Sequence, residues 1–462
     1  MLLNNDIATI ILNYLEIHNI YVLKLLNNNF NDFIENDFIL INYYGRKLNK
    51  NIIMKHCRNL IRIVLDAKKY NENINDQDLL CLNKLEILVV PYNNNITNEG
   101  LKYIPNIQKI HMADNTNITD EGLKYIGNIK SLYLFYNKNI TDEGLKYIPN
   151  IKKLYLFKNK KITDVGLKYI ADSNNGISSI KKLCLHKNRN ITDNGLKYIP
   201  NVKIIKLNNN KNITDDGLKY ITKIETLCMY HNINITNEGL KFIPNITKLD
   251  LHFNNKITDD GLKHIPNVTT LNLPYCKLIT DDGLKYISNI KKLDLDFNKK
   301  ITNNGLKYIP NIKNLDLTNN TNITNEGLKH VADLNSGIFD VKKLILYCNE
   351  NITDEGLKYI PNVKVLNLHY NDNITDEGLK HIKNIKELDL YMNTRITNCG
   401  LKYISNVDTL RLYNNKNITN DGLKYIPNII TLDLSCNENI TKDGLIYTPK
   451  IKALGSKNNI RI

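Results

Sequence analysis

Apolar residues recur along this chain in one fixed grouping. In Asn137–Asn159, NKNITDEGLKYIPNIKKLYLFKN, the apolar positions Ile140, Leu145, Ile148, Ile151, Leu154 and Leu156 are set between polar ones. The Gly-Leu pair at the centre of this block returns sixteen times between Gly100 and Gly444. Successive glycines are 22 residues apart, except for intervals of 29 after Gly166 and after Gly327. Within one period, Leu132 and Leu134 alternate with Ser131, Tyr133 and Phe135, which predicts a short strand with its leucines inward. Thr141 fits a helix N-cap, and Asp142 and Glu143 fall in the first turn, where the helix dipole favours negative charge. Leu145 and Ile148 face inward, and Pro149 is expected to stop the helix after about two turns. Asp142 and Lys146, at i and i+4, are expected to pair.

Asparagine holds the slot of Asn137 in fifteen of sixteen periods, with Cys276 the exception. Its amide both donates and accepts, so it can satisfy buried backbone groups of the turn after the strand. Two long periods, LKYIADSNNGISSIKKL after Gly166 and LKHVADLNSGIFDVKKL after Gly327, carry seven extra residues each and share Ala-Asp-x-Asn-x-Gly-Ile. They lie 161 residues apart, which points to duplication of a seven-repeat block. The extra residues should lengthen the helix and leave the strands in register.

A fixed period with an LxLxxN core resembles the leucine-rich repeat, whose cysteine-containing subclass usually has Cys where Asn137 stands. The resemblance implies an α/β fold, a leucine-rich-repeat solenoid (horseshoe) of about 17 repeats of 22 residues. A small all-helical domain is expected ahead of it.

That expectation comes from residues 1–48, which lack the repeat. Apolar residues at Leu3, Ile7, Ile10, Ile11, Tyr14 and Leu15, then Ile20, Leu23, Leu25, Leu26 and Phe30, are spaced for two or three short amphipathic helices. The stretch resembles an F-box, with Leu3, Asn4 and Asp6-Ile7 at its opening and Asn4 in place of the usual proline. The resemblance implies docking of a Skp1-like adaptor through Leu3, Ile7, Ile11, Leu15, Ile20 and Leu23. Read from the residues alone, the same helices could equally cap the end of the repeat array. Residues 49–93 form a linker, with Ile63-Val64-Leu65 a first strand, and a degenerate repeat with Asp78 in the glycine slot. Residues 94–462 are the repeats. An F-box followed by leucine-rich repeats implies a substrate-recognition subunit of a Skp1–cullin–F-box ubiquitin ligase. The alternative is an interaction scaffold with a helical cap and no ubiquitin role.

The formal charge of +15 changes this picture little. Lysine fills the position two after the repeat glycine in fifteen of sixteen periods, where a neighbouring acid can offset it. A nucleic-acid partner is therefore not expected. The eight cysteines show no ligand spacing, which argues for a reducing compartment without a disulfide framework. No stretch reaches the roughly 18 apolar residues of a membrane span, and a cytoplasmic location with no membrane partner is expected. Asn-Ile-Thr, repeated as at Asn139-Ile140-Thr141, matches a glycosylation acceptor but is a by-product of the repeat. Neighbours such as Cys184 and His186 recur without a third ligand or an orienting carboxylate, so no catalytic residue, metal or cofactor is assigned.

The outward strand positions vary, and there the sequence becomes informative. Phe135, Phe157, His186, Tyr230, His252, Tyr347, His369, Tyr391 and Tyr413 share one column, and Tyr133 and Tyr155 lie beside it. Asp250, Asp294, Asp316, Asp389 and Asp433 form another, with Asp296 adjacent, while Lys153, Lys182, Lys206 and Lys248 lie toward the first half. Rigidly held aromatic side chains are low-entropy anchors for a protein partner. These columns, on the concave face, are the expected binding surface for an unidentified target protein.

Overall fold

A computed structural model describes residues 40–43, 62–65, 74–80, 82–172, 176, 178–333 and 341–455. The proposed adaptor contacts Leu3, Ile7, Ile11, Leu15, Ile20 and Leu23 lie outside them. The chain divides into two units, Met1–Met229 and Tyr230–Ile462. In the first, parallel strands follow in chain order from Leu40–Tyr43 and Arg62–Leu65 to Thr226–Cys228. In the second, they run from Lys248–Asp250 to Ala453–Gly455. The strand expected at Ile63–Leu65 is present but is not the first: Leu40–Tyr43, in the stretch expected to be all helical, precedes it and pairs with it.

Each strand is only three residues long through most of the array, and strands pair at matching repeat positions, as Leu132 with Leu154 and Tyr133 with Tyr155. The long periods keep this register, with Lys153 against Lys182 and Asn314 against Lys343. Their additional residues extend the helix to Asp164–Asp172 and Asn325–Asp333, where other repeats have four helical residues. Behind the strands, Leu132, Leu134, Ile140, Leu145, Ile148 and Ile151 are fully buried. The degenerate repeat also folds to type: Ile74 and Leu79 are buried, and Asn75 and Asp78 close a capping box on the helix Asp76–Leu79.

Two further expectations need correction. The α-helix is one turn, Asp142–Leu145, rather than two. Beyond it the N–H groups of Lys146, Tyr147 and Ile148 bond three residues back, tightening the second turn toward 3-10 geometry. A complete 3-10 helix is assigned at Lys124–Ile126, Lys285–Ile287 and Lys402–Ile404, where Gly127, Ser288 and Ser405 replace the proline. Nor does Asp142 pair with Lys146. The lysine bonds Glu143, at 2.5 Å, while Asp142 reaches the next repeat. There its carboxylate accepts the Thr163 N–H at 2.8 Å and the Thr163 O–H at 2.6 Å.

That carboxylate explains the glycine. A Cβ at Gly166 would fall on the Asp142 carboxylate, and one at Gly144 on that of Asp120. The glycine slot is thus a seat for the previous repeat's acid. Where asparagine replaces the acid, as Asn98 does, its amide instead donates to the Thr119 hydroxyl at 2.9 Å. Thr119 then makes no side-chain cap, whereas Thr141, which follows Asp120, accepts the Glu143 N–H.

The asparagine slot performs as expected at Asn137. Asn137 donates to the carbonyls of Asn115 and Ile118 at 2.9 and 2.8 Å. It accepts from the Asn139 and Ile140 N–H groups at 2.8 and 3.1 Å. A second asparagine ladder runs outside it: Asn139 donates to Thr116 O at 2.6 Å, and Asn190 to Lys160 O at 2.5 Å. The Asn of the Asn-Ile-Thr triplet is therefore a loop tie.

Candidate partner-binding face

The inward leucines leave every second side chain of the strand outside, and the short strand passes straight into a turn. In the first unit this displays an aromatic cluster among lysines. Tyr133 stacks on Tyr155, with centroids 4.0 Å apart, and Phe135 meets Tyr155 edge-on at 6.3 Å. Phe157 sits edge-on to both Tyr136 and His186. Lys109 and Lys182 lie over the rings of Tyr133 and Tyr155 at 5.6 and 5.2 Å. Burial, then the neighbouring Tyr155, pushes the Tyr133 hydroxyl up to about 12. Burial lowers the His186 pKa, with Lys206 adding to it, so the ring favours its neutral form. Tyr155 departs from expectation: it keeps only 9% of its surface exposed and forms the floor beneath Tyr133.

In the second unit, Tyr230 packs on His231 and His252 at 4.0 and 5.0 Å. Farther along, Tyr347 stacks on His369, His369 meets Tyr391 at 3.8 Å, and Tyr391 stacks on Tyr413 at 4.2 Å. The five residues expected in this column of the second unit after Tyr230 fall into two groups, with Pro274, Asp296 and Thr318 between them.

The aspartates do more than face solvent. Asp250 accepts the His252 N–H at 3.2 Å, Asp294 that of Asp296 at 3.0 Å, and Asp389 that of Tyr391 at 3.1 Å. Each acid on the strand thus fixes the turn that carries the next displayed side chain. Burial raises Asp294 to about 7, helped by the carboxylates of Asp316, Asp296 and Asp250. Burial and Asp316 raise Asp296 to about 6, and one of its oxygens is buried without a hydrogen bond. Burial also lowers the His369 pKa.

One displayed column escaped the sequence reading. Among the described residues, the one just before the ladder slot takes a left-handed backbone in sixteen successive repeats, with φ between 52° and 65°. Bulky residues seldom accept that geometry. Here they stack: His231 on Phe253, Phe253 on Tyr275 and Tyr275 on Phe297, at 4.6, 4.5 and 4.6 Å. Tyr92, Tyr136 and Tyr370 in this column are exposed. The signal was available, since an aromatic precedes the asparagine slot at Tyr92, Tyr136, Phe253, Tyr275, Phe297 and Tyr370.

On the opposite surface, most helix lysines are already engaged. Lys146 bonds Glu143 and lies 4.2 Å from the Tyr169 ring centre, and Lys124 repeats this with Glu121 and Tyr147. Hydrogen bonding to the acid raises both lysine pKa values. Among the described residues, no group of three His, Cys, Asp or Glu is placed to hold a metal, and no helix is long and apolar enough to cross a membrane.

Comparison with known proteins agrees with this geometry. Ten segments match a family model described as Leucine Rich repeat: residues 103–127, 128–148, 147–171, 198–221, 242–265, 264–288, 287–309, 308–332, 359–383 and 427–447. No curated protein matches the sequence. Among solved structures, the TLR13–ssRNA13 complex is similar with a TM-score of 0.56 at 16% identity. That match covers 91% of this chain and 66% of the other, so the chain spans just under two thirds of its length. A leucine-rich-repeat protein of Leptospira interrogans is similar with a TM-score of 0.52 at 17% identity, covering 82% of this chain and 97% of that one. At such identities the likeness concerns the fold. The repeating units of this chain are leucine-rich repeats, built as a solenoid of strand and helix around a leucine and isoleucine core.

Proposed function

We propose that the chain is the substrate-recruiting subunit of a Skp1–cullin-type ubiquitin ligase, holding a target protein on the displayed strand face. The observation that carries target binding is the pair of packed aromatic groups, Tyr133–Phe135–Phe157 and Tyr347–His369–Tyr391–Tyr413. They project from backbone fixed at both ends, so they lose little freedom when a partner covers them. The adaptor half of the reading rests on the F-box-like order of residues 3–30. A Skp1-type adaptor would be gripped by Leu3, Ile7, Ile11, Leu15, Ile20 and Leu23.

Co-purification of the full chain with a Skp1 homologue tests the adaptor half. The unmodified chain should retain the adaptor, and Leu15→Asp with Ile20→Asp should lose it while the repeats stay folded by circular dichroism. No retention by the unmodified chain would leave an interaction scaffold whose first helices only cap the repeats.

A further inference from the structure

One edge of the first unit gathers positive charge. The turns after the strands bring Lys158, Lys160 and Lys161, then Lys187 and Arg189, to that edge in consecutive repeats. A cavity of about 460 Å³ lies there, lined by Lys160, Lys187, Arg189, Asn190 and Asn209. Lys160, Lys187 and Arg189 are exposed, and among the described residues none of the three has an ion-pair partner. The carboxylates following in sequence are committed elsewhere: Asp164 accepts from Thr192, and Asp193 from Thr214.

The backbone under these cations is fixed. Asn190 ties the Lys160 carbonyl at 2.5 Å, and Asn212 ties that of Arg189 at 2.6 Å. The Lys187 N–H bonds Asn208 O at 3.1 Å. The backbone that carries two ammonium groups and a guanidinium is therefore fixed around one hollow, and those like charges repel one another.

We infer that this cavity binds a phosphorylated side chain in an extended segment of a partner protein. A phosphate ester carries nearly two negative charges and three acceptor oxygens, which match one guanidinium fork and two ammonium groups. Single-stranded nucleic acid fits less well, because it needs free ring faces on which successive bases can stack. The neighbouring rings are already occupied: Phe157 is edge-on to His186 at 5.7 Å, and Tyr155 is buried under Tyr133. The inference does not depend on the adaptor reading, since the site lies in the repeats and its test uses no adaptor.

Fluorescence anisotropy on the full chain provides that test, with a labelled Gly-Ser peptide bearing one phosphoserine, its unphosphorylated twin, and an oligouridylate of about ten nucleotides. The phosphopeptide should bind at least about tenfold more tightly than its twin. Lys187→Ala with Arg189→Ala should remove that margin, and Lys299→Ala with Lys300→Ala, at the corresponding turn of the second unit, should leave it intact. Equal affinity for the two peptides, or no binding by either, would overturn the inference. So would tighter oligouridylate binding lost in the Lys187/Arg189 double variant, which would assign the cavity to nucleic acid.

Discussion

Asn137 in the first unit and Asn320 in the second occupy the same slot of the repeat and bond differently. Asn137 uses its side chain for four hydrogen bonds, two given and two accepted. Asn320 gives one, to the Asn298 carbonyl at 3.0 Å, and its amide oxygen is buried without a partner. The Ile323 N–H, counterpart of the Ile140 N–H, goes instead to the Asn320 backbone carbonyl at 3.3 Å. Asn298 and Asn349 make the same exchange with Ile301 and Ile352. In chain order the pattern begins at Cys276, where the Ile279 N–H bonds the Cys276 carbonyl at 3.4 Å. A thiol cannot accept two N–H groups as an amide oxygen does. The turn there closes on its own backbone, the three turns after it share that form, and from Asn371 onward the amide oxygen again accepts the N–H two residues on. One residue type in one slot thus serves two turn architectures.

The largest effect should come from breaking the side-chain form. Asn137→Ala leaves buried carbonyls and N–H groups unpaired and should cost about 3 kcal/mol or more, while Asn320→Ala should cost nearer about 1 kcal/mol. Denaturant unfolding of the two variants measures the difference. Equal costs would mean that the two turn forms depend equally on the amide.

A smaller effect should follow from Cys276→Asn. Restoring an amide should add about 1 kcal/mol of stability and move the Ile279 N–H onto the side chain, which slowed hydrogen exchange at residues 278 and 279 would report. Unchanged exchange would show that the backbone closure of this turn does not follow from the thiol.

The smallest concerns charge. Asp294 and Asp296 have folded pKa values of about 7 and about 6, above the 3.8 of a free aspartate. The folded chain therefore binds more protons than the unfolded one across this window, and stability falls as pH rises toward about 7. Both groups retain solvent contact, so screening should hold the loss below about 1 kcal/mol. Thermal melts at about pH 5 and about pH 8 should show a smaller decline for Asp294→Asn than for the unmodified chain. An identical decline would place the titration elsewhere.

The fold could be read from the sequence because a repeat states its core sixteen times over, and Leu132, Ile140 and Leu145 fell inward as their spacing implied. Thr141 as cap and Asn137 as ladder followed from what their side chains can donate and accept. The errors were of range. Asp142 was assigned to Lys146, its neighbour along the helix, but found Thr163 across the junction, because sequence spacing reveals partners within a repeat more readily than between repeats. Among candidate site residues, the outward strand columns were found by alternation, apart from buried Tyr155. The His231–Phe253–Tyr275–Phe297 stack was missed because alternation ends with the strand, and a left-handed turn then turns the next side chain outward.

The contact between Asp120 and Gly144 also bears on how such a chain can grow. Nearly every junction presents the same acid or amide to the same glycine, so whole repeats can be copied or excised without a compensating change on either side. The long periods 161 residues apart are what copying seven repeats at once would leave behind. Asp78 marks an exception: it stands in the glycine slot, and its carboxylate accepts the Asn75 N–H within its own repeat. A repeat whose helix opens on aspartate would set that carboxylate against the Cβ of residue 78, so insertion ahead of it would first need glycine there. The array is thus modular wherever that glycine recurs, and there its length is free to drift.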